Sequence, residues 1–189
     1  MPNIDRGTLP CYVSKYAVYW SPLEVADTVG ALKTGLKIAG VSGSVTLPAN
    51  TAKTFTAEYA SGGGTIEVPT KLNREAASIQ IPIMSYGSEL FSLPSPGSAV
   101  LVQLRSEIVD LLRFGIPKPD GFTFIYRGLV KERNPGNAES GNGSQANFTV
   151  SVFYEEIFQK MKQVYAYDWI NAVEIENGVP KSLTTSIFT

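Results

Sequence analysis

The stretch Ala77-Ser78-Ile79-Gln80-Ile81-Pro82-Ile83 places an apolar residue at every odd position and Ser, Gln or Pro between them. Successive side chains of a β-strand point to opposite faces of the sheet, so this period of two reads as a half-buried strand with one face in a core. The same pattern recurs on both sides. Upstream, Phe55, Ala57 and Tyr59 alternate with Thr54, Thr56 and Glu58. Downstream, Phe122, Phe124 and Tyr126 alternate with Thr123, Ile125 and Arg127, and Phe148, Val150, Val152 and Tyr154 alternate with Thr149, Ser151 and Phe153. Two further strands are expected at Tyr12 to Trp20 and Leu36 to Leu47. Turn clusters separate these runs at Ser61-Gly62-Gly63-Gly64, Pro94-Ser95-Pro96-Gly97, Lys118-Pro119-Asp120-Gly121 and Asn134-Pro135-Gly136, the spacing of a hairpin-rich all-β domain. The expected fold class is mainly β, a sandwich or barrel.

Helix is scarce. Short candidates occur at Leu23 to Leu32 and Tyr86 to Leu93, each with apolar residues three or four apart. Val100 to Phe114 carries both periods: Val100, Val102 and Leu104 alternate as in a strand, whereas Leu104, Ile108, Leu111 and Leu112 recur as on a helix face. A strand is expected in its first half, running on into a turn or helix. Pro135 to Gln145, crowded with Gly and Ser, reads as an exposed hairpin loop.

With 189 residues the chain fits one domain, residues 1–189. Hydrophobic residues make up 43% and charged residues 17%, a low charge density that suggests a surface facing other protein. The 16 basic and 17 acidic residues leave a net charge of −1, so no basic excess exists to grip nucleic acid. A near-zero net charge also opposes dispersal as a monomer. There is no histidine, which removes the commonest general base, the serine-triad base and the usual zinc ligand together. The single cysteine, Cys11, can form no internal disulfide, consistent with a reducing compartment. The start Met1-Pro2-Asn3-Ile4-Asp5-Arg6 lacks a secretion signal and no stretch approaches the length of a membrane helix, so synthesis in a cytoplasm without membrane binding is expected.

Candidate chemistry is thin. Glu155-Glu156 and Glu174 with Glu176 are the carboxylate pairs that acid–base catalysis would need. Neighbours in a strand point apart, so Glu155 and Glu156 are not expected to converge; Glu174 and Glu176 share one face, as solvated strand carboxylates commonly do. Gly62-Gly63-Gly64-Thr65 is not followed by the GKS/T of a phosphate loop and reads as a loop tip. Tyr165, Tyr167 and Trp169 alternate like a stacking platform, but basic residues are sparse around them, which favours a core or subunit interface. No catalytic residue, cofactor or metal site is expected.

Taken in order, the landmarks after Val45 resemble the major tail tube protein of contractile-tailed phages, a family related in fold to the tubes of R-type pyocins and type VI secretion. They begin with Val45-Thr46-Leu47-Pro48, a strand into the glycine turn from Tyr59 to Gly64, and Thr65-Ile66-Glu67-Val68. Tyr86-Gly87-Ser88-Glu89-Leu90-Phe91 resembles the family's short helix, and a strand follows from Ala99. Tyr126-Arg127-Gly128-Leu129-Val130-Lys131-Glu132-Arg133-Asn134-Pro135-Gly136 looks like its RG-x-x-KE-x-x-PG signature. Val152-Phe153-Tyr154 and the tail with Asp168, Trp169, Ile170, Asn177 and Gly178 complete the order. Two departures stand out: an opening segment (residues 1–40) longer than the family's, and an insertion from Val109 to Lys118.

The resemblance implies a tail-tube β sandwich or barrel with one or two short helices and an extended hairpin, Lys53 to Ile79. It implies a homo-hexamer whose inner strands join into one ring, rings stacked helically, and partners in the sheath, the baseplate hub and the tail terminator. DNA would pass without specific binding, in a virion tail whose protein is synthesised in the host cytoplasm. Tyr59, Gly62, Gly63, Gly64 and Glu67 would contact the adjacent ring; Thr54, Thr56, Glu58, Ser78, Gln80, Thr149 and Ser151 are candidates to line the channel. The tube of a type VI-like or other contractile injection system is the nearest alternative, and a carbohydrate-binding β sandwich or carboxylate hydrolase a more distant one.

Overall fold

The computed structural model describes residues 11–23, 36–38, 41, 43–58, 64–83, 91–110, 120–136 and 146–182. Their strands are β1 (Cys11–Pro22), β2 (Leu36–Lys37), β3 (Ala52–Glu58), β4 (Thr65–Arg74), β5 (Ala77–Ile83), β6 (Ala99–Asp110), β7 (Asp120–Asn134), β8 (Ala146–Gln159), β9 (Lys162–Asp168), β10 (Val173–Glu176) and β11 (Val179–Ser182). The fold is mainly β, as expected. One antiparallel sheet has the order β11-β10-β9-β8-β7-β6-β1-β2, with β5 attached to β8; β3 and β4 form a separate two-stranded sheet.

β8 is the organising element. Its first half, Ala146 to Val152, pairs with β5, and its second half, Tyr154 to Gln159, pairs with β9 along the same edge. The far edge of β8 is therefore shared, and the sheet forks where Ala77 begins β5 opposite Val152 and Asp168 ends β9 opposite Tyr154. One residue, Phe153, is bulged out of the β7–β8 ladder at this fork, between the pairs Gly128–Val152 and Arg127–Tyr154. A second bulge falls at Lys131 of β7, between the pairs Val130–Val150 and Glu132–Thr149.

The main core lies on one face of this sheet, and a smaller cluster of Leu101 and Ile125, packed by Leu23 and Phe158, lies on the other. Ile79, Ile81 and Ile83 of β5 are fully buried with Phe148 and Val150 of β8, Val100 and Val102 of β6, Tyr126 of β7 and Val18 of β1. The alternation read in β5 is the alternation found, with Ala77, Ile79, Ile81 and Ile83 inside and Ser78 and Gln80 exposed. Among the described residues Pro82 sits in a strand bordered on its outer side by two isolated bridges, Val41–Ile83 and Thr46–Gln80, where a missing N–H costs least.

Three expectations change. The stretch Leu36 to Leu47 is not one strand: among the described residues the chain after β2 pairs with β5 at those two bridges alone, so the curled sheet does not close into a barrel by a continuous ladder there. Val100 to Phe114 is strand in its first half, as expected, but runs on as strand to Asp110 instead of turning, because β6 pairs with β1 over Val100 to Asp110 and with β7 over Ala99 to Ile108, and neighbours on both edges outweigh the helical spacing of Leu104 and Ile108. Tyr154 is not on the core face, since the Phe153 bulge inverts the alternation and turns Glu155 inward in its place. Of the two helix candidates, residues 24–32 and 86–90 lie outside the described residues; Phe91-Ser92 is helical and Leu93 is buried. The Val109 to Lys118 insertion lies outside them from residue 111 on.

Candidate functional site

Two surfaces carry the residues singled out in the sequence. The first is the hairpin of β3 and β4. Its register pairs Phe55 with Val68 and Ala57 with Ile66, and pairs Thr54 with Pro69, Thr56 with Glu67 and Glu58 with Thr65. Residues directly opposite in a ladder share a face. One face of the hairpin is therefore apolar, and the other presents Thr54, Thr56, Glu58, Thr65 and Glu67. Neither face is covered by the main sheet: Phe55 is 52% and Ile66 44% exposed, and Thr54, Thr56, Glu58 and Glu67 are exposed as well. Gly64 stands exposed just before β4 at φ +85°, with open space where a Cβ would be. Tyr59, Gly62 and Gly63 lie outside the described residues.

The second surface is the outer face of β5 and the first half of β8. Ser78 pairs with Ser151 and Gln80 with Thr149, so the four residues assemble into one polar patch facing away from the core. Ser78, Gln80 and Ser151 are exposed, whereas Thr149 is only 9% exposed. Thr54, Thr56 and Glu58 belong to the hairpin instead, so the seven candidate channel residues fall on two separate elements.

A row across the core face connects the sheet to the hairpin root. The register places Trp20, Val102, Tyr126, Glu155, Tyr167, Glu174 and Lys181 side by side on seven successive strands, β1, β6, β7, β8, β9, β10 and β11. Arg74, the last residue of β4, closes over this row. Its guanidinium stands 4.6 Å from the Tyr167 ring centre and 3.1 Å from Glu174 Oε1. Trp169 meets Tyr167 edge-on at 4.7 Å and donates from Nε1 to the Glu75 carbonyl at 3.2 Å, and Asn50 donates to the Tyr165 hydroxyl. The aromatic row Tyr165, Tyr167, Trp169 is thus roofed by the hairpin root rather than open as a stacking platform.

Glu155 lies beneath this roof at 6% exposure. Burial, offset in part by the neighbouring Tyr126 hydroxyl and by the charge of Arg74, pushes its carboxyl up to about 7. The Tyr126 hydroxyl is buried against it without a well-formed hydrogen bond, and both burial and the carboxylate push that phenol far above its ordinary range. Burial and Glu174 likewise raise Tyr165 to about 12. Glu156 points to the other face, where it accepts from the Tyr154 hydroxyl at 2.8 Å and Gln163 Nε2 at 2.9 Å. The two neighbouring carboxylates do not converge, and Glu174 and Glu176 are engaged by Arg74 and Lys181. Among the described residues no group of three or more His, Cys, Asp or Glu could hold a metal, and no helix is long and apolar enough to cross a membrane.

The signature from Arg127 to Gly136 shapes the sheet. A Cβ on Gly128 would stand 2.1 Å from the Ser151 carbonyl oxygen and 2.7 Å from Val150 Cγ1, so only glycine fits beside the Phe153 bulge. Arg127 packs over the Tyr154 ring at 4.9 Å, and Arg133 donates to the Leu93 carbonyl at 2.9 Å. Asn134 accepts from the Gly136 amide at 2.8 Å and so shapes the turn that leaves β7. Glu155 and Arg74 were missed as neighbours by the sequence reading. The bulge that turns Glu155 inward has no local sequence mark.

No curated protein matches the chain. Solved structures with a similar course include the sheath/tube terminator of the extracellular contractile injection system PVC in its extended state, at 12% identity over 80% of this chain and 99% of that one, with a TM-score of 0.47. Another comes from the baseplate of the anti-feeding prophage, at 14% identity over 81% of this chain and 93% of that one, with a TM-score of 0.34. At these scores neither likeness adds to the assignment, which rests on sequence: residues 31–181 match the family of phage tail tube protein FII, and the chain belongs to that family.

Proposed function

We propose that the chain, a structural component of a phage tail tube by its family, assembles into hexameric rings that stack into the inner tube of a contractile tail. The observation that carries this reading is the β3–β4 hairpin. It stands outside the main sheet, no further strand pairs with either of its outer edges among the described residues, and it exposes an apolar face with Phe55 and Ile66. Unpaired edges and exposed apolar stripes are liabilities for a monomer and are covered in stable assemblies. The hairpin, tipped by Gly62, Gly63 and Gly64, reaches the adjacent ring, with Tyr59 and Glu67 in the same contact. Thr54, Thr56 and Glu58 of the hairpin, with Ser78, Gln80, Thr149 and Ser151 of the sheet, supply a neutral to weakly acidic channel wall. A wall of that character lets DNA pass without the salt-sensitive binding that a row of lysines and arginines would impose. A sheath outside, a baseplate hub below and a terminator above are its partners. The protein has no catalytic role.

The test is negative-stain microscopy of the purified chain beside a deletion of Gly62 to Gly64. The parent is expected to form rings and tubes of hexameric cross-section. The deletion is expected to give folded subunits, with unchanged circular dichroism, that form single rings and few tubes. A parent that remains monomeric at every salt concentration tried would overturn the reading.

A further inference from the structure

Among the described residues the hairpin shares no ladder with the main sheet, so its direction is set where it leaves that sheet. From the contacts at that point we infer that Arg74 is a positioning residue, a bracket that holds the β3–β4 hairpin at a fixed angle to β9 and β10 before any second subunit is met. The inference rests on the hairpin's role in assembly for its consequence, though the bracket itself is a property of the single chain.

The geometry is specific to the root. Arg74 pairs with Ala52 there, a register shift away from the continuous ladder that starts at Thr54–Pro69; the Thr70 hydroxyl donates to the Lys53 carbonyl at 2.7 Å across the shift, and the Glu75 amide donates to the Thr51 carbonyl at 2.9 Å. From this step the Arg74 guanidinium crosses to the main sheet, stacks on Tyr167 of β9 and pairs with Glu174 of β10, while Glu155 of β8 lies below. Trp169 holds the Glu75 carbonyl, and its own amide donates to the carbonyl of the bulged Phe153 at 3.0 Å. Asn50, on the other strand's approach, is held by Tyr165. Both chains entering the hairpin are therefore tied to the fork in the sheet, and Arg74 joins an aromatic face and a carboxylate there.

Two-stranded hairpins are marginal in water by themselves. Beyond its root most of the described side chains on both faces are exposed, so packing along its length supplies little of its order. Its ladder persists because the innermost step is pinned. A planar guanidinium suits that task, because it can stack and form an ion pair at once, whereas a lysine ammonium gives the charge without the stacking plane.

Amide hydrogen exchange of Arg74→Ala, Arg74→Lys and Glu174→Gln subunits, read by peptide, tests the bracket without requiring assembly. In Arg74→Ala the amides of β3 and β4 are expected to exchange roughly five- to tenfold faster, the scale of one half-buried ion pair plus one ring contact, with β6, β7 and β8 unchanged. Arg74→Lys is expected to restore part of the protection. Glu174→Gln, which keeps the stack and removes the ion pair, is expected to lie between Arg74→Ala and the parent; should Arg74→Ala not fold, this variant decides. Unchanged hairpin exchange, or an equal rise across the whole sheet, would overturn the bracket. The reading as a tube protein fails separately, if the parent forms no tubes whatever its hairpin exchange shows.

Discussion

Glu155 and Gly128 show what a single bulge does. Strand alternation is legible in Phe148, Val150 and Val152, and it correctly sends Glu155 and Glu156 to opposite faces. It also sends Tyr154 inward, and there it fails, because the extra residue Phe153 shifts the parity of everything after it. The buried carboxylate that results has a pH signature. Its folded pKa near 7 lies above the value of 4.5 expected without burial, so the folded chain holds this proton more tightly than the unfolded one. The stabilisation is complete below the lower value and lost as pH rises through 7, a loss of as much as about 3 kcal/mol at 1.36 kcal/mol per unit. Urea unfolding at about pH 5 and about pH 8 is expected to show a smaller drop in Glu155→Gln than in the parent. Equal drops would mean that another group carries the pH dependence. For Gly128→Ala, the 2.1 Å approach to the Ser151 carbonyl must be relieved by moving backbone, since that oxygen belongs to no flexible side chain. A loss of roughly 3 kcal/mol is expected, read as a lower thermal midpoint. The glycine was visible in the sequence as part of a signature, but the carbonyl facing it belongs to β8 and could be found only in three dimensions.

At the scale of elements, legibility followed where the neighbours are. β5 and the first half of β8 were readable because one face is core and the other is not, so polarity marks the side of each residue. β6 was ambiguous because it is central, with Leu101, Val102, Gln103 and Leu104 all buried, and burial on both faces erases the alternation that identifies a strand. The hairpin deceives in the opposite way. Phe55, Ala57 and Tyr59 alternate like a core strand, yet Phe55 is exposed in the single chain. An apolar face kept for a second copy carries the same period as one kept for the interior. Phe55→Ser therefore separates the two. Because the side chain is half exposed and its directly opposed apolar neighbour is Val68 of the hairpin itself, its loss is expected to lower stability by no more than about 1 kcal/mol while sharply reducing tube yield. A large drop in the thermal midpoint would place Phe55 in the subunit's own core instead.

At the scale of the whole molecule, the low and balanced charge bears on how subunits meet. With 16 basic and 17 acidic residues, long-range attraction between copies is weak, and the candidate contacts are an apolar hairpin face and the hairpin's outer edges, on which no further strand pairs among the described residues. Neither depends on an ion atmosphere. Screening shortens the reach of charges from about 14 Å at 50 mM salt to about 4 Å at 500 mM, which would dissolve an assembly held by ion pairs and leave one held by apolar burial intact. Apolar burial is also strengthened by excluded salts such as sulfate. Sedimentation of the purified chain at tens of micromolar is therefore expected to show rings or tubes at both salt concentrations, with the assembled fraction equal or higher in sulfate. Assembly that disappears at the higher salt would assign the contacts to charged side chains such as Glu58 and Glu67 on the hairpin's polar face, and would remove Phe55 and Ile66 from the centre of the interface.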